Sequence, residues 1–321
     1  MRKLNSISDD STFQSTKLYN NFVKNPIGFV DIGAAGGVHS LMRPVASITN
    51  CLCFDASQRA AEELQSKGNN IYSNFTVYNN AVAGKNGPAD FYLTESEVNS
   101  SLLKPKEELV IRYNKQGMKV KEITTVAART LDSIIGDDSK KYDNPGEIIK
   151  LDCQGAEHEI LKASPETLAQ QCMTIWCEVL FFQVYKNQKT FPDVDKFLCS
   201  KGFVLYGLYP KYVSKKLLDR TKYETNERLM WADALYLKDP LEQKNAHTSF
   251  TERQIDVLII SALLTGFFDY ALEIIAAYKD DAIEQKKLLK LTRLLAQGEK
   301  TKIEGSARQL IKKYNKYPEH I

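Results

Sequence analysis

Short apolar runs separated by stretches of helix length constrain this chain more than any other feature. They fall at 28–32, 51–54, 76–78, 148–151, 174–179, 203–206 and 234–237. Each is too short for a helix, and several lack polar–apolar alternation, as strands buried on both faces do. Between them, 57–67, 156–161, 164–171 and 191–201 carry helical spacing. Strand, helix, strand in sequence predicts an α/β fold, an open parallel sheet with helices on both faces. Residues 89–94 and 120–126 alternate instead, which predicts extra antiparallel strands inserted before the run at 148. The polar stretch between them, 95–118, is expected to be a mobile lid or loop.

The chain has 321 residues, room for two domains at ~150 residues each. Residues 1–26 are polar and end at Asn25-Pro26, which favours an extended entry into the first apolar run. Beyond Pro240 glycine becomes scarce and the spacing turns helical: 252–264, 267–278, 282–296 and 302–314 predict four helices. The expected organisation is therefore a polar segment 1–26, a sheet domain 27–240 and an all-α helical domain 250–321. Thr265-Gly-Phe-Phe-Asp-Tyr-Ala-Leu is similar to the turn of a tetratricopeptide-like hairpin, with no repeat period to accompany it.

Charge limits the partners. Lys plus Arg is 43 and Asp plus Glu is 40, a net +3, too balanced for a surface built as a whole to hold nucleic acid. The excess is local: residues 282–316 hold ten Lys or Arg against three Glu. That run is a solvated helix face or a contact for an anionic membrane surface or a partner protein. Aromatic residues are not interleaved with it, so nucleic acid is not expected. The six cysteines form no disulfide framework, and Cys51, Cys53, Cys153 and Cys177 sit in apolar runs, which points to a reducing, cytoplasmic compartment. The N-terminus lacks the apolar core of a signal peptide, and the most apolar window, 257–268, falls short of the ~20 residues of a membrane span. A soluble protein is expected.

The segment Phe29-Val-Asp-Ile-Gly-Ala-Ala-Gly-Gly37 carries the chemistry. A strand ends at Ile32, a glycine turn comes next, and a helix is expected to begin near Val38. The backbone of Gly33, Ala34, Gly36 and Gly37 can approach a ligand closely, and the helix start offers free N–H groups. Asp31 stands where a dinucleotide-binding turn has its first glycine. An acid there repels pyrophosphate but holds an ammonium group, which points to S-adenosylmethionine (SAM). Asp55, at the end of the second strand, lies where an acid accepts hydrogen bonds from ribose hydroxyls; the alternative is a helix cap. Asp152 ends the strand expected beside the first, facing the crevice at the carboxyl ends of the strands.

The ordered motifs Val-Asp-Ile-Gly-Ala-x-x-Gly, Phe-Asp55-Ala56-Ser, Asn80-Ala81-Val-Ala, Ser100-Ser-Leu, Thr130-Leu-Asp132-Ser, Lys150-Leu-Asp152-x-x-Gly155-Ala-Glu157 and Glu178-Val-Leu resemble the FkbM-type SAM-dependent methyltransferases over about residues 27–210. The resemblance implies a class I methyltransferase fold, a Rossmann-like sheet with an antiparallel edge. It also implies methyl transfer to oxygen, with sugar hydroxyls of glycans and natural products as the usual acceptors. On the matching positions it adds Ala56, Asn80 and Ala81 to the cofactor site. This chain departs from the family pattern in having Asp55 for Glu, a looser Gly36-Gly37 turn, and Gln154 where the family has Glu.

A sugar hydroxyl needs a base within hydrogen-bond reach. Asp152 is the first candidate, with Glu157 and Glu178 beside it; as alternatives Asp152 caps the next helix, Glu157 answers that helix's dipole, and Glu178 is a paired strand carboxylate. His39 and His158 read as partly exposed helix histidines, and Asp132 as a helix cap. No metal-ligand spacing occurs, so no metal is expected. Residues 95–118 and 180–230 are expected to wall the acceptor pocket, where Phe181, Phe182, Tyr185, Tyr206, Tyr209 and Tyr212 could stack on a sugar ring. A non-catalytic interaction protein on the same fold, or a natural-product or protein acceptor, stay open as alternatives.

Overall fold

The computed structural model describes residues 3–66, 71–138, 141–242 and 249–298. Ten strands occur there: β1 (Ile27–Ile32), β2 (Thr49–Phe54), β3 (Asn74–Tyr78), β4 (Ala81–Val82), β5 (Gly87–Thr94), β6 (Val120–Arg129), β7 (Ile148–Leu151), β8 (Thr174–Leu180), β9 (Val204–Val213) and β10 (Arg228–Leu237). Seven of them form the main sheet in the order β3-β2-β1-β7-β8-β10-β9. All run parallel except β10, which is reversed between β8 and β9 at that edge. This is the class I methyltransferase architecture expected from the sequence. The chain works outward from β1 to β3, then returns to β7 on the other side of β1. The crevice above β1 and β7 is therefore the point where strand order reverses, the usual ligand position in an open α/β sheet.

β1, β2 and β7 are buried along their whole length, which is why they read as apolar runs without alternation. Their side chains still divide by face. Phe29, Cys51, Cys53 and Ile148 join one core, and Val30, Leu52, Ile149 and Leu151 the other. The second core lies under the helices Leu131–Asp138, Glu157–Lys162, Pro165–Gln170 and Phe191–Ser200. The antiparallel pair expected before β7 is β5 with β6, and with β4 it makes a separate three-stranded sheet.

The first core is covered from both ends of the chain. The polar N-terminal segment is helical as far as Lys24, and Asn25, ahead of Pro26, leaves the helix at φ −136°, ψ 89° to enter β1. Asp10 and Thr16 cap the helices Ser11–Gln14 and Lys17–Lys24, and Phe13, Leu18 and Phe22 reach the core. Three apolar side chains at helical spacing suffice when the surface they meet is already apolar. From the other end come the helices Glu252–Thr265 and Phe268–Tyr278 and the helical stretch 282–298. Gly266 closes the first of these in the left-handed conformation, φ +84°. The fourth expected helix, 302–314, lies outside the described residues. Among the described residues, no helix is long and apolar enough to cross a membrane.

Buried ions tie these parts together. Arg253 donates to Glu147 at 2.6 Å and to the carbonyls of Asn25 and Pro26, while Glu147 accepts from the Gly28 amide. The Glu284 carboxylate accepts from the backbone N–H groups of Lys17 and Leu18, at 2.9 and 3.0 Å. Of the basic run, Lys287 donates to the Ser15 carbonyl, and Lys286, Lys290 and Arg293 are exposed.

Candidate functional site

The turn after β1 is shaped by what it must pass. Gly33 has φ +77°, and a Cβ built on it would stand 1.9 Å from the Asp152 carbonyl oxygen, so only glycine fits between β1 and β7. The amides of Gly33 and Ala34 donate to the Phe54 carbonyl at the end of β2. No α-helix starts at Val38. His39 instead caps a 3-10 stretch, Ser40–Ile48, which Pro44 and a break at Val45 keep from becoming α-helical.

Asp31 was expected to meet a ligand's ammonium group; the cation it meets is Lys150 of this chain. The two are register partners on β1 and β7, their side chains on one face, with Nζ 3.1 Å from Oδ1. The other Asp31 oxygen accepts from the His39 amide at 2.7 Å. Lys150 also donates to the carbonyls of Ile32 and Gly33. Burial alone would favour loss of its charge, but Asp31 and then Asp152 hold its pKa above the usual lysine range. Lys150 carried no expected role, although a lysine inside the run Ile-Ile-Lys-Leu is a signal in itself, because a buried charge needs a partner.

Beside this turn lies a cavity lined by Gly33, Ala35, Asp55, Ala56, Asn80 and Ala81. Val98, Ser100–Leu102, Asp152, Cys153 and Gln154 line it as well. Of the residues expected to bind a cofactor, it gathers Gly33, Asp55, Ala56, Asn80 and Ala81. It leaves out Asp31, Ala34, Gly36 and Gly37: Ala34 is buried in the core and the two glycines face outward. Asp55 accepts from the Ser57 amide at 2.8 Å at the start of the helix Gln58–Ser66. It thus turns the chain and lines the cavity at once. Burial raises its pKa, and hydrogen bonds from the Ser57 and Ala35 amides oppose the rise.

A second cavity, about 380 Å³, adjoins the first and shares Val98, Asp152 and Gln154 with it. Met118, Leu180, Val184, Met230 and Trp231 make its apolar walls, with Glu178, Lys115 and Tyr185 as polar groups. Gln154, in the left-handed conformation at φ +56°, organises the junction. Its Nε2 donates to Asp152 Oδ1 at 2.7 Å and to Glu178 Oε2 at 3.3 Å, and its Oε1 accepts from the Tyr185 hydroxyl at 2.6 Å. Burial first, then the charges of Asp152, Glu157 and Asp233, push the Glu178 carboxyl well above the usual range. Asp233, the register partner of Glu178 on β10, is raised by burial and by Asp152.

Glu157 lines neither cavity. It is buried below the turn, where it accepts from the amides of Cys153 at 2.6 Å and Gly155 at 3.2 Å, and burial pushes its pKa up to about 7. Its place is that of a brace for the Asp152–Gln154 turn. The stretch 95–118 is the segment expected as a lid or loop. It folds into short turns and a helix, Glu107–Arg112, and is pinned where Ser101 donates to the Gln154 carbonyl at 2.8 Å and Arg59 forks onto Glu97. Among the six aromatic candidates for the acceptor pocket, only Tyr185 lines the second cavity. Tyr206 packs on Phe267, Tyr209 on Trp176, Phe181 on Phe191, and Phe182 lies under Arg228. Trp231 lines it in their place, unforeseen because it stands in the part of β10 ahead of the apolar run. His39 lies against Trp176 and His158 against Phe197, away from both cavities. Among the described residues, no group of three or more His, Cys, Asp or Glu could hold a metal ion.

Comparison with known proteins gives one family. The model of the methyltransferase FkbM domain matches residues 31–205. No curated protein matches. Among solved structures, the chain is similar to a methyltransferase FkbM from Methylobacillus flagellatus, with 14% identity over 66% of this chain and a TM-score of 0.37. It covers 43% of that protein's length, less than half. It is also similar to the magnesium protoporphyrin IX methyltransferase of Synechocystis, solved with bound SAM (8% identity, 69% of this chain and 74% of that one, TM-score 0.33). A SAM-dependent methyltransferase from Methanosarcina mazei matches at 10% identity, over 69% of this chain and 97% of that one, with a TM-score of 0.31.

Proposed function

The chain belongs to the FkbM methyltransferase family, and on that premise we propose that it transfers a methyl group from SAM to a sugar hydroxyl in glycan biosynthesis. The observation that carries this is the meeting of two cavities at Asp152 and Gln154. Group transfer between two bound molecules needs two adjoining sites with the base at their junction.

The first cavity suits SAM by its donor set. Asp55 offers a carboxylate to ribose hydroxyls, Ile32, Ala60, Val82 and Phe91 offer an apolar slot to a base, and Gly33 and Ala35 bring backbone close. When bound, SAM supplies a methyl group on a positively charged sulfur, an electrophile that needs no further activation. The chain's own task is to place the acceptor and take its proton. Asp152 is the proposed base: its Oδ1 is held by Gln154, and the residue lines both cavities. The acceptor oxygen would bond to the methyl carbon as that carbon leaves the sulfur, which departs as the neutral thioether of the demethylated product, while the oxygen's proton passes to Asp152. Glu178, holding its own proton more firmly than an ordinary carboxyl, is suited to donate to an acceptor oxygen. Trp231 offers a ring face to a sugar in the second cavity. Glu157 and Lys150 act from beneath, as positioning residues. The buried thiols of Cys51, Cys53, Cys172 and Cys177 support a reducing, cytoplasmic setting.

Calorimetric titration with SAM and with its demethylated product tests the cofactor half, and transfer of labelled methyl groups to glycan extracts tests the acceptor half. Failure of both compounds to bind would end the proposal.

A further inference from the structure

The ribbon of β9 and β10 outruns its own buried core. Burial ends at Val213 and Met230, and the chain from Lys215 to Asn226 between them is exposed throughout. Large apolar side chains are concentrated there, where Leu217 is 83% exposed, Tyr223 56% and Leu218 47%, and Tyr212 at the end of β9 is 52% exposed beside them. Single exposed apolar residues are ordinary, but three within one projecting turn, with a fourth at its foot, are not. The turn is also basic. Residues 211–228 hold six Lys or Arg against three acids. Of those acids, Glu227 is paired with Arg220 at 2.8 Å, and Asp219 accepts from the Thr221 amide and hydroxyl. Lys211, Lys215 and Lys216 stand exposed around the leucines.

Two occupants could cover such a turn, a second copy of the chain or a lipid surface. Strand addition along β9 is opposed by Pro210 and Lys211 in its exposed half, since proline lacks the N–H that pairing needs and lysine resists a second strand. A bilayer suits the composition better. Leucines enter the boundary between headgroups and acyl chains, tyrosines sit at headgroup level, and lysines meet anionic headgroups. The turn also leads directly into Met230 and Trp231, walls of the second cavity.

We infer that the β9–β10 turn docks on an anionic bilayer through Leu217, Leu218 and the lysines beside them, and so holds the second cavity next to the lipid surface. Docking itself stands apart from methyl transfer, because it is measured without acceptor or cofactor. The place it assigns the acceptor, carried on or delivered at a membrane, rests on the proposed function.

The test is co-sedimentation of the whole chain with vesicles of phosphatidylglycerol in phosphatidylcholine, against vesicles of phosphatidylcholine alone. Binding is expected only to the anionic vesicles and falls as salt rises. Lys215→Gln with Lys216→Gln should weaken it about fivefold for each charge removed, and Leu217→Asp with Leu218→Asp by at least about tenfold. Both pairs are exposed, so an unchanged thermal melt shows that the fold is intact. In a Leu217→Trp variant, tryptophan emission should shift to the blue when anionic vesicles are added. Absence of vesicle binding, binding untouched by these variants, or a Leu217-dependent self-association without lipid would each overturn the inference.

Discussion

The ammonium of Lys150 lies 3.1 Å from the Asp31 carboxylate, with 8% and 0% of their side chains exposed. A pair so placed holds the glycine turn after β1 from behind. Removing one partner leaves an uncompensated charge in a dry place, which costs about 3–5 kcal/mol. Lys150→Met should therefore lower stability by that amount, measured by urea denaturation, and adding Asp31→Asn should recover part of the loss. A single variant as stable as the parent would show that the pair is immaterial.

Asp55 is the side chain on which SAM affinity is expected to depend most. Asp55→Ala removes a charged acceptor, and each such hydrogen bond contributes about 1.5–3 kcal/mol. Calorimetry should record at least a tenfold loss of affinity, whereas Asp55→Glu, which restores the family's own acid, should bind SAM nearly as well as the parent.

Asp152→Asn separates binding from chemistry. If Asp152 takes the acceptor's proton, kcat falls by about 10²–10⁴-fold while SAM affinity changes little. Gln154→Glu gives a complementary result. It replaces the amide that donates to Asp152 and Glu178 with a third carboxylate, so the pH at which activity rises should move upward in the pH–rate profile.

The buried Glu157 carboxyl makes stability depend on pH. Its pKa rises from 4.5 to about 7 on folding, so between those values the folded chain keeps a proton that the unfolded chain has released. Stability therefore falls as pH rises through that window, by about 3 kcal/mol in all. Glu178, raised in the same sense, adds to the slope. Denaturation midpoints at about pH 5 and about pH 8 should differ accordingly, and Glu157→Gln should bring them closer together.

Gly33→Ala tests the packing of β1 against β7. The added methyl group meets the Asp152 carbonyl and also forces an unfavourable φ, so a loss of about 2–4 kcal/mol is expected. Both cavities should be disrupted, measured as lost SAM binding at temperatures where the chain remains folded.

What the sequence made legible was whatever depends on neighbours along the chain. The central strands announce themselves because both of their faces are buried, and Asp55 and Asp152 because strand ends fall at predictable places. What stayed hidden depends on distant contacts. Asp31 and Lys150 meet only because β7 returns beside β1. Met230 and Trp231 line the second cavity from a part of β10 that precedes its apolar run. The N-terminal helices became visible only once the core they cover was in place, because three apolar side chains among polar ones have no meaning until something apolar faces them. Glu157 was found as an acid of the expected kind, but the amides it serves lie in its own turn rather than in a substrate.

The capping of Lys17 and Leu18 by Glu284, across 267 and 266 positions, sets an order of events in the making of the protein. A ribosome has emitted β1 through β10 long before it emits Glu284. Until then that face of the sheet has only its N-terminal cover, and the helix Lys17–Lys24 has no acid at its start. Completion of that face therefore waits on residues 252–298, which enter the chain after every strand of the sheet has been made.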